Sequence, residues 1–373
     1  MFETILVPLD GSALSERALH YAEVLSRLAG ARMVLMRAVP MEQGLSPDAL
    51  DYNRVLTHRA QDYLTSFVDR ARADGLAAES LVWSDEAADA IRKAAAAKDA
   101  DIIVMSTHGR GGLARVVWGS VADRLMRQTP TPVLLVPRDA ETHWINDSSF
   151  RLILPLDGSA LAEQAIGPAR DLAEALGAGI VLVQALEPIV WLSAENGWGP
   201  YSGEIDKAVK RRSRAYLAGV AQPLIDAGVD VRLHLGEGNA PSVIRAAARE
   251  HHAAGIVMAT HGRGGVNRAV MGSVADALLR TARLPLLMVH PAAVQLEPEA
   301  TEPAPELTTA GPVIPLSMTA EELELTKMAL RKVLKGHEGD TARLGHDLLA
   351  RLEQIEEWTA VSGPGAAWRA SSN

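Results

Sequence analysis

The chain opens with Thr4 to Leu9, an unbroken run of β-branched and aliphatic residues, the pattern of a parallel strand covered on both faces. The period then changes. From Ser12 to Leu28 the apolar positions Leu14, Ala18, Leu19, Ala22, Leu25 and Leu28 recur at helical spacing, and Gly30 supplies a stop. The pattern next predicts a strand over Ala31–Val39, a long helix over Asp48–Ala73 ended by Gly75, and a strand over Leu76–Trp83. A helix over Glu86–Ala97, a strand over Asp101–Met105, a helix from Ser120 to about Gln128 and a fifth strand over Pro132–Val136 follow. Strands that alternate with helices in this way predict right-handed βαβ units around a parallel sheet.

The pattern then restarts. Ile5–Leu19 returns as Leu152–Ile166, and the Gly-rich stretch Thr107–Arg127 returns as Thr260–Arg280 with 15 of 21 positions identical, which marks a duplicated domain rather than a solenoid repeat. The second copy carries a longer connection through Pro188, Trp191, Asn196, Gly197, Trp198 and Pro200, and the join between copies, near Arg138 to Phe150, reads as short and polar. In each copy the fifth strand, Val133–Val136 or Leu286–Val289, would be an apolar sheet edge, and a bare edge invites association. Two covalently joined copies can pair those edges with each other, as an intramolecular pseudo-dimer. After His290 the chain changes character: prolines and glutamates dominate up to Pro315, then Thr319-Ala-Glu-Glu322 resembles a capping box. It opens a helix carrying Leu323, Met328, Leu330, Val333 and Leu334, and Asp340 can cap a second with Leu344, Leu348, Leu352 and Ile355. Both are too short to stand alone in water, so the hairpin should dock, which leaves a homodimer through it open. The expected organisation is domain one over 1–140, domain two over 150–291, a tether over 292–318, the hairpin over 319–358 and a tail over 359–373.

Composition narrows the classes. Of 373 residues 48% are hydrophobic but only 4% aromatic, so the core must be built from Ala, Leu, Val and Ile. A net charge of −9 opposes a nucleic-acid or anionic-membrane partner. The absence of cysteine excludes disulfides, thiolate metal sites and cysteine nucleophiles. The start, Met-Phe-Glu-Thr-Ile-Leu-Val-Pro, lacks the basic region and apolar core of a signal peptide, and no run approaches membrane-spanning length, so a cytoplasmic location is expected.

The candidate chemistry lies where strands end. In a doubly wound sheet, ligands collect at the carboxyl ends of the strands where the winding reverses. With strands one and four as neighbours there, Pro8-Leu9-Asp10 faces the loop from Ser106, and Pro155-Leu156-Asp157 faces the loop from Ala259. Each loop is rich in glycine and ends at Gly-Ser before a helix. Its main-chain N–H groups and the helix N-terminus form an anion cradle. The aspartates either accept hydrogen bonds from a base or sugar, or merely cap the next helix. Arg110 and Arg263 would add charge for a phosphate or lie solvated. His108 and His261, beside the cradle, read either as an acid, base or metal partner or as side chains that hydrogen-bond backbone or water, and His251-His252 as a helix-end pair whose charge suits the dipole, without a function. A dinucleotide fingerprint would need its glycines directly after strand one, and a P-loop would need lysine where Trp118-Gly-Ser120 has none.

These paired strings resemble the universal stress protein family, whose signature is a glycine, two residues, a glycine, nine residues, then Gly-Ser or Gly-Thr after the fourth strand. Gly109 to Gly119 and Gly262 to Gly272 each enclose nine residues, with Ser120 and Ser273 following; the family's first glycine is replaced by Ser106 and Ala259. The resemblance covers about residues 1–291. It implies an α/β fold of two tandem open five-stranded parallel sheets, order 3-2-1-4-5, adenine nucleotide alpha hydrolase-like, followed here by the C-terminal helical hairpin. It implies that Asp10 and Asp157 contact adenine, that the main chain at Ala38 and Ala185 contacts the base, and that the glycines and serines hold ribose and phosphates. The candidate nucleotide-binding positions are thus Pro8, Asp10, Ala38, Met105, Ser106, Gly109, Arg110, Gly119, Ser120 and Val121 in one copy. Their counterparts are Pro155, Asp157, Ala185, Met258, Ala259, Gly262, Arg263, Gly272, Ser273 and Val274. The expected function is ATP-dependent regulation in a stress response, with Mg²⁺ carried on the phosphates and no protein metal ligand. A slow ATPase and a scaffold that binds no nucleotide remain as alternatives; no catalytic residue is assigned.

Overall fold

The computed structural model describes residues 2–40, 47–107, 119–140, 144, 150–186, 202–260, 272–281 and 283–290. The first copy runs β1 (Thr4–Pro8), α1 (Ala13–Ala29), β2 (Arg32–Val39), α2 (Pro47–Ala73), β3 (Ala78–Ser84), α3 (Ala87–Ala97), β4 (Ile102–Ser106), α4 (Ser120–Gln128) and β5 (Val133–Val136). The second runs β6 (Arg151–Pro155), α5 (Ala160–Glu163), α6 (Ile166–Leu176), β7 (Gly179–Leu186), α7 (Ser202–Asp226), β8 (Val231–Glu237), α8 (Ala240–Glu250), β9 (Ala253–Ala259), α9 (Ser273–Thr281) and β10 (Leu286–Val289). The expected tether, hairpin and tail, 292–373, lie outside the described residues. By its internal contacts the chain divides into residues 1–189 with 210–294, and residues 190–209 with 295–373. Every strand named above belongs to the first unit.

These strands form one ten-stranded sheet in the order β3-β2-β1-β4-β5-β10-β9-β6-β7-β8. Within each copy neighbouring strands are parallel and take the expected 3-2-1-4-5 order. The copies meet at their fifth strands, antiparallel, with Leu286 opposite Leu135, Leu287 opposite Leu134 and Met288 opposite Val133. The apolar edges foreseen in each copy therefore cover each other. Alternation along β1 shows why the sheet is apolar throughout: Ile5 and Val7 face α1 and α2 through Leu19, Leu25, Leu64 and Val68, while Leu6 faces α3 and α4 through Ile91, Ala94, Leu125 and Met126. Each such Leu or Ile, fully buried, contributes about 1.5–3 kcal/mol.

Helix ends follow the sequence signals closely. Gly75 (φ 80°) closes α2 with its N–H on Arg72 O and the Leu76 N–H on Ala71 O, so Leu76 belongs to the cap and β3 starts only at Ala78. The duplicated first helix is continuous in copy one but split into α5 and α6 in copy two. Pro168 stands where Tyr21 stands in α1; it brings no N–H for the carbonyl four residues back, and its ring crowds that carbonyl.

The join corrects the sequence reading. Far from being only polar, it buries Trp144 completely between the copies, at 0% exposure. Its indole N–H donates to Ala254 O of β9 at 3.0 Å, and its ring meets Tyr21 of α1 edge-on, with centroids 5.3 Å apart. One side chain thus touches both halves.

Candidate functional site

The strand ends meet as the topology requires: β1 pairs with both β2 and β4, and β6 with both β7 and β9. Since α1 and α2 cover one face and α3 and α4 the other, the winding reverses between β1 and β4, and a crevice opens at their carboxyl ends. Pro8 ends β1 opposite Met36, and the Leu9 N–H continues to Met36 O at 2.8 Å. Asp10 then leaves the sheet. Its Oδ1 accepts the Ser12 N–H at 2.8 Å, and Gly11 between them sits at φ 81°, a left-handed conformation that favours glycine. Copy two repeats the turn with Gly158 at φ 81° and Asp157 Oδ1 accepting the Ser159 N–H at 2.9 Å and the Ser159 hydroxyl at 2.6 Å.

The caps themselves are the serines: Ser12 Oγ accepts the Ser15 N–H at 3.1 Å, and Ser159 Oγ accepts the Ala162 N–H at 3.2 Å. Helix capping therefore does not account for the aspartates. Each is instead half-buried and fixed by its own turn at the mouth of the crevice.

The opposite wall is the base of the Gly-rich loop. Ser106 and Ala259, the small residues that replace the signature glycine, end β4 and β9 at 8% and 6% exposure, so both lie snugly at the strand tips. Thr107 and Thr260 come next, each with its N–H on the fifth-strand carbonyl of Val136 or Val289. The Gly119 N–H returns to Thr107 O at 2.8 Å, and the Gly272 N–H to Thr260 O at 2.9 Å, so each loop leaves and re-enters at one point. Gly109, Arg110, Gly262 and Arg263, with His108 and His261, lie outside the described residues. Gly119 is the N-cap of α4 and offers no side-chain cap; Ser120 is exposed at the first helical position and Val121 packs inward. Gly272, Ser273 and Val274 repeat the arrangement. Further along these helices Asp123 bonds Arg127 at 2.9 Å and Asp276 bonds Arg280 at 2.9 Å, which straps the first turn to the last. A helix N-terminus without a side-chain acceptor, beside a pinched loop, presents its unpaired N–H groups to an anion.

Met105 and Met258 lie one residue inside the strand ends and belong to the core beneath the crevice. Ala38 and Ala185 lie near the ends of β2 and β7, opposite Trp83 and Gly236, half-buried. Around Ala38 copy one has features that the sequence reading missed. The Tyr63 hydroxyl donates to Glu16 Oε1 at 2.9 Å, and the Arg37 guanidinium lies 4.9 Å from the Tyr63 ring centroid. Burial first, then the Glu16 hydrogen bond and the charges of Glu16 and Asp10, push the Tyr63 phenol well above its ordinary pKa, so it stays a donor. Copy two keeps the pair, with the Tyr216 hydroxyl on Glu163 Oε1 at 2.9 Å, but has Gln184 in place of Arg37. The signal was present in the repeat: Glu16 and Tyr63 recur at the two offsets that align the copies. A cavity of about 540 Å³ extends from this edge, lined by Val39, Asn53, Thr57, His58, Gln61 and Ser84 among others; it flanks the crevice at Ala38 rather than including Asp10.

The copies diverge at strand three. In copy one β3 ends with Trp83 and Ser84 and is followed by Asp85, which bonds Lys93; that bond first, then the Glu86 N–H, holds its carboxyl below the ordinary range. Copy two has Gly236, Glu237 and Gly238 there, and a Cβ on Gly236 would come within 2.4 Å of Val243 Cγ1. At the other end of the fold, burial first pushes the His251 pKa down, while the Glu250 charge pushes it up.

A profile described as the "Universal stress protein family" matches residues 1–137 and 149–290. A universal stress protein of Mycolicibacterium smegmatis is 26% identical over 296 residues, spanning 77% of this chain and 97% of its own. One of Mycobacterium tuberculosis is 28% identical over 194 residues, 52% of this chain and 62% of its own. Among solved structures, a universal stress protein from Archaeoglobus fulgidus aligns with a TM-score of 0.57 at 20% identity, over 77% of this chain and 98% of its own, a likeness of fold.

Proposed function

Because the chain belongs to the universal stress protein family, we propose that it binds ATP in each of the two strand-end crevices and acts as a nucleotide-responsive regulator rather than as an efficient enzyme. The observation that carries this reading is the repeated opposition of a fixed aspartate, Asp10 or Asp157, to a pinched Gly-rich loop. Asp10 and Asp157 accept from adenine; the main chain at Ala38 and Ala185 meets its edge; the loop glycines, with Ser120 and Ser273, hold ribose and phosphates. Mg²⁺ enters on the phosphate oxygens. Tyr63, held protonated, supplies no general base, and its carboxylate partner Glu16 already accepts that proton's hydrogen bond.

The sites differ in charge. Arg37 borders the first and Gln184 the second, so the first retains the nucleotide more tightly at low salt.

Isothermal titration with Mg-ATP tests the proposal, with Asp10→Asn and Asp157→Asn as variants. Asparagine keeps a carbonyl oxygen for the turn but replaces the other acceptor by a donor. Two equivalents are expected, and loss of a charged hydrogen bond worth about 1.5–3 kcal/mol weakens the altered site by roughly 10- to 100-fold. No uptake at millimolar ATP by a chain whose circular dichroism is intact, or variants that bind as tightly as the parent, would leave a twinned scaffold without a nucleotide.

A further inference from the structure

At the outer edge of the second copy two histidines and a glutamate converge, remote from the crevice. His234 lies on β8 in register with Val183 of β7. Gly236, two residues on and so on the same face, is the residue against which Val243 of α8 closes. From there α8 runs back along the strand and ends at Glu250. His251 is its C-cap, its N–H on Ala247 O at 2.9 Å, His252 turns the chain at φ 47°, and β9 begins at Ala253. This two-residue connection holds Glu250 and His251 over His234.

One donor atom from each of the three residues lies within 4.8 Å of the other two. His234 Nδ1 is 3.4 Å from His251 Nε2 and 3.8 Å from Glu250 Oε2, and His251 Nε2 is 3.9 Å from Glu250 Oε1. A hydrogen bond between the rings explains only one side, and poorly, because N–H bonds prefer about 2.7–3.2 Å. Bonds of about 2.0–2.2 Å to a tetrahedral ion imply edges of about 3.3–3.6 Å, so the imidazoles already stand at the required separation, and the mostly exposed Glu250 carboxylate, which meets the two rings through different oxygens, turns inward to complete the set.

The repeat supplies the control. The structurally equivalent positions in copy one, on β3 and after α3, are Leu81, Ala97 and Lys98; Lys98 there pairs with Glu79 at 2.9 Å, and Asp99 takes the same left-handed turn as His252. The fold thus requires no histidine, glutamate or second histidine at these places.

We propose that His234, Glu250 and His251 bind one divalent transition-metal ion of the zinc class, with water at the fourth position. Two imidazoles and one carboxylate suit Zn²⁺ or Co²⁺ rather than Ca²⁺ or Mg²⁺, which take all-oxygen shells. The histidine side chains are 16% and 13% exposed and Glu250 63%, so the ion enters from the glutamate side. The ion clips the outermost strand to the connection that starts β9, about 20 Å, the length of that strand, from Ala259 at the nucleotide crevice.

The test uses the full chain, stripped with chelator, titrated with Zn²⁺ alone against a chromophoric competitor and with Co²⁺ alone by visible absorption. One equivalent is expected, with the absorption of four-coordinate cobalt. His234→Leu and Glu250→Ala, the residues that copy one carries, each weaken it by at least about tenfold, the lower bound set by what even outer partners cost elsewhere. His58→Ala, at an exposed helical histidine, leaves it unchanged. Glu250 is mostly exposed, so its variant folds whatever becomes of His234→Leu. No uptake by the parent chain, or uptake equally tight in Glu250→Ala, overturns the assignment, as does loss in His58→Ala alone.

Discussion

Replacing Trp144 by alanine empties the joint between the two copies. The indole is fully buried, and truncation to a methyl group removes on the order of 150 Å² of apolar surface from contact, which at about 25 cal/mol per Å² amounts to nearly 4 kcal/mol. Loss of the 3.0 Å hydrogen bond to Ala254 O adds about 1 kcal/mol, for a total of about 4–5 kcal/mol. Trp144→Phe keeps the edge-on contact with Tyr21 and most of the area, and is expected to cost about 1–2 kcal/mol. Urea unfolding followed by circular dichroism measures both. Because Tyr21 belongs to copy one and Ala254 to copy two, the alanine variant is also expected to broaden or split a transition that is single in the parent. A loss below about 1 kcal/mol for Trp144→Ala, or equal losses for the two variants, would refute the claim that packing at this joint couples the halves.

Three further outcomes rest on the same structure. Leu134→Lys places a charge in the β5–β10 seam opposite Leu287, at 1% exposure, and is expected to cost several kcal/mol in urea and to promote self-association in size-exclusion chromatography. Gly236→Ala sets its Cβ against Val243 Cγ1 and should destabilise by about 1–3 kcal/mol, with Val243→Ala restoring part of the loss in a thermal melt; an additive double variant would argue against the clash. Asp85 has a folded pKa below its unfolded value, so its contribution is present above the unfolded pKa of about 3.9 and disappears as pH falls through the folded one. Lys93→Met should raise the Asp85 pKa in an NMR titration and reduce that acid sensitivity.

Legibility in the sequence tracked the range of the interactions. Gly30, Gly75 and the Ser12 cap act within one helical turn, and the strand order comes from alternation and from the handedness of crossovers. The paired strings around Asp10 and Asp157 located the crevice because each string carries its own turn. Pro168, which splits α5 from α6, acts just as locally, but the repeat of the apolar pattern hid the break until the structure showed it. Trp144 was not: an isolated aromatic in a polar stretch has no period, and its burial depends on Tyr21 and Ala254, 123 and 110 positions away. His234 and His251 likewise meet only because a strand and a helix end are folded onto each other. Gly109, Arg110, Gly262 and Arg263 were read from the repeated Gly-rich loop and from the family resemblance, and lie outside the described residues.

The antiparallel meeting of β5 and β10 has one more consequence. In an assembly of identical chains every substitution appears twice, so no site can change without its twin. Here the twins are separate stretches of one polypeptide, held at fixed stoichiometry by peptide bonds. Arg37 could become Gln184, and Lys98 could become His251, while the other half kept its own residue and its own task.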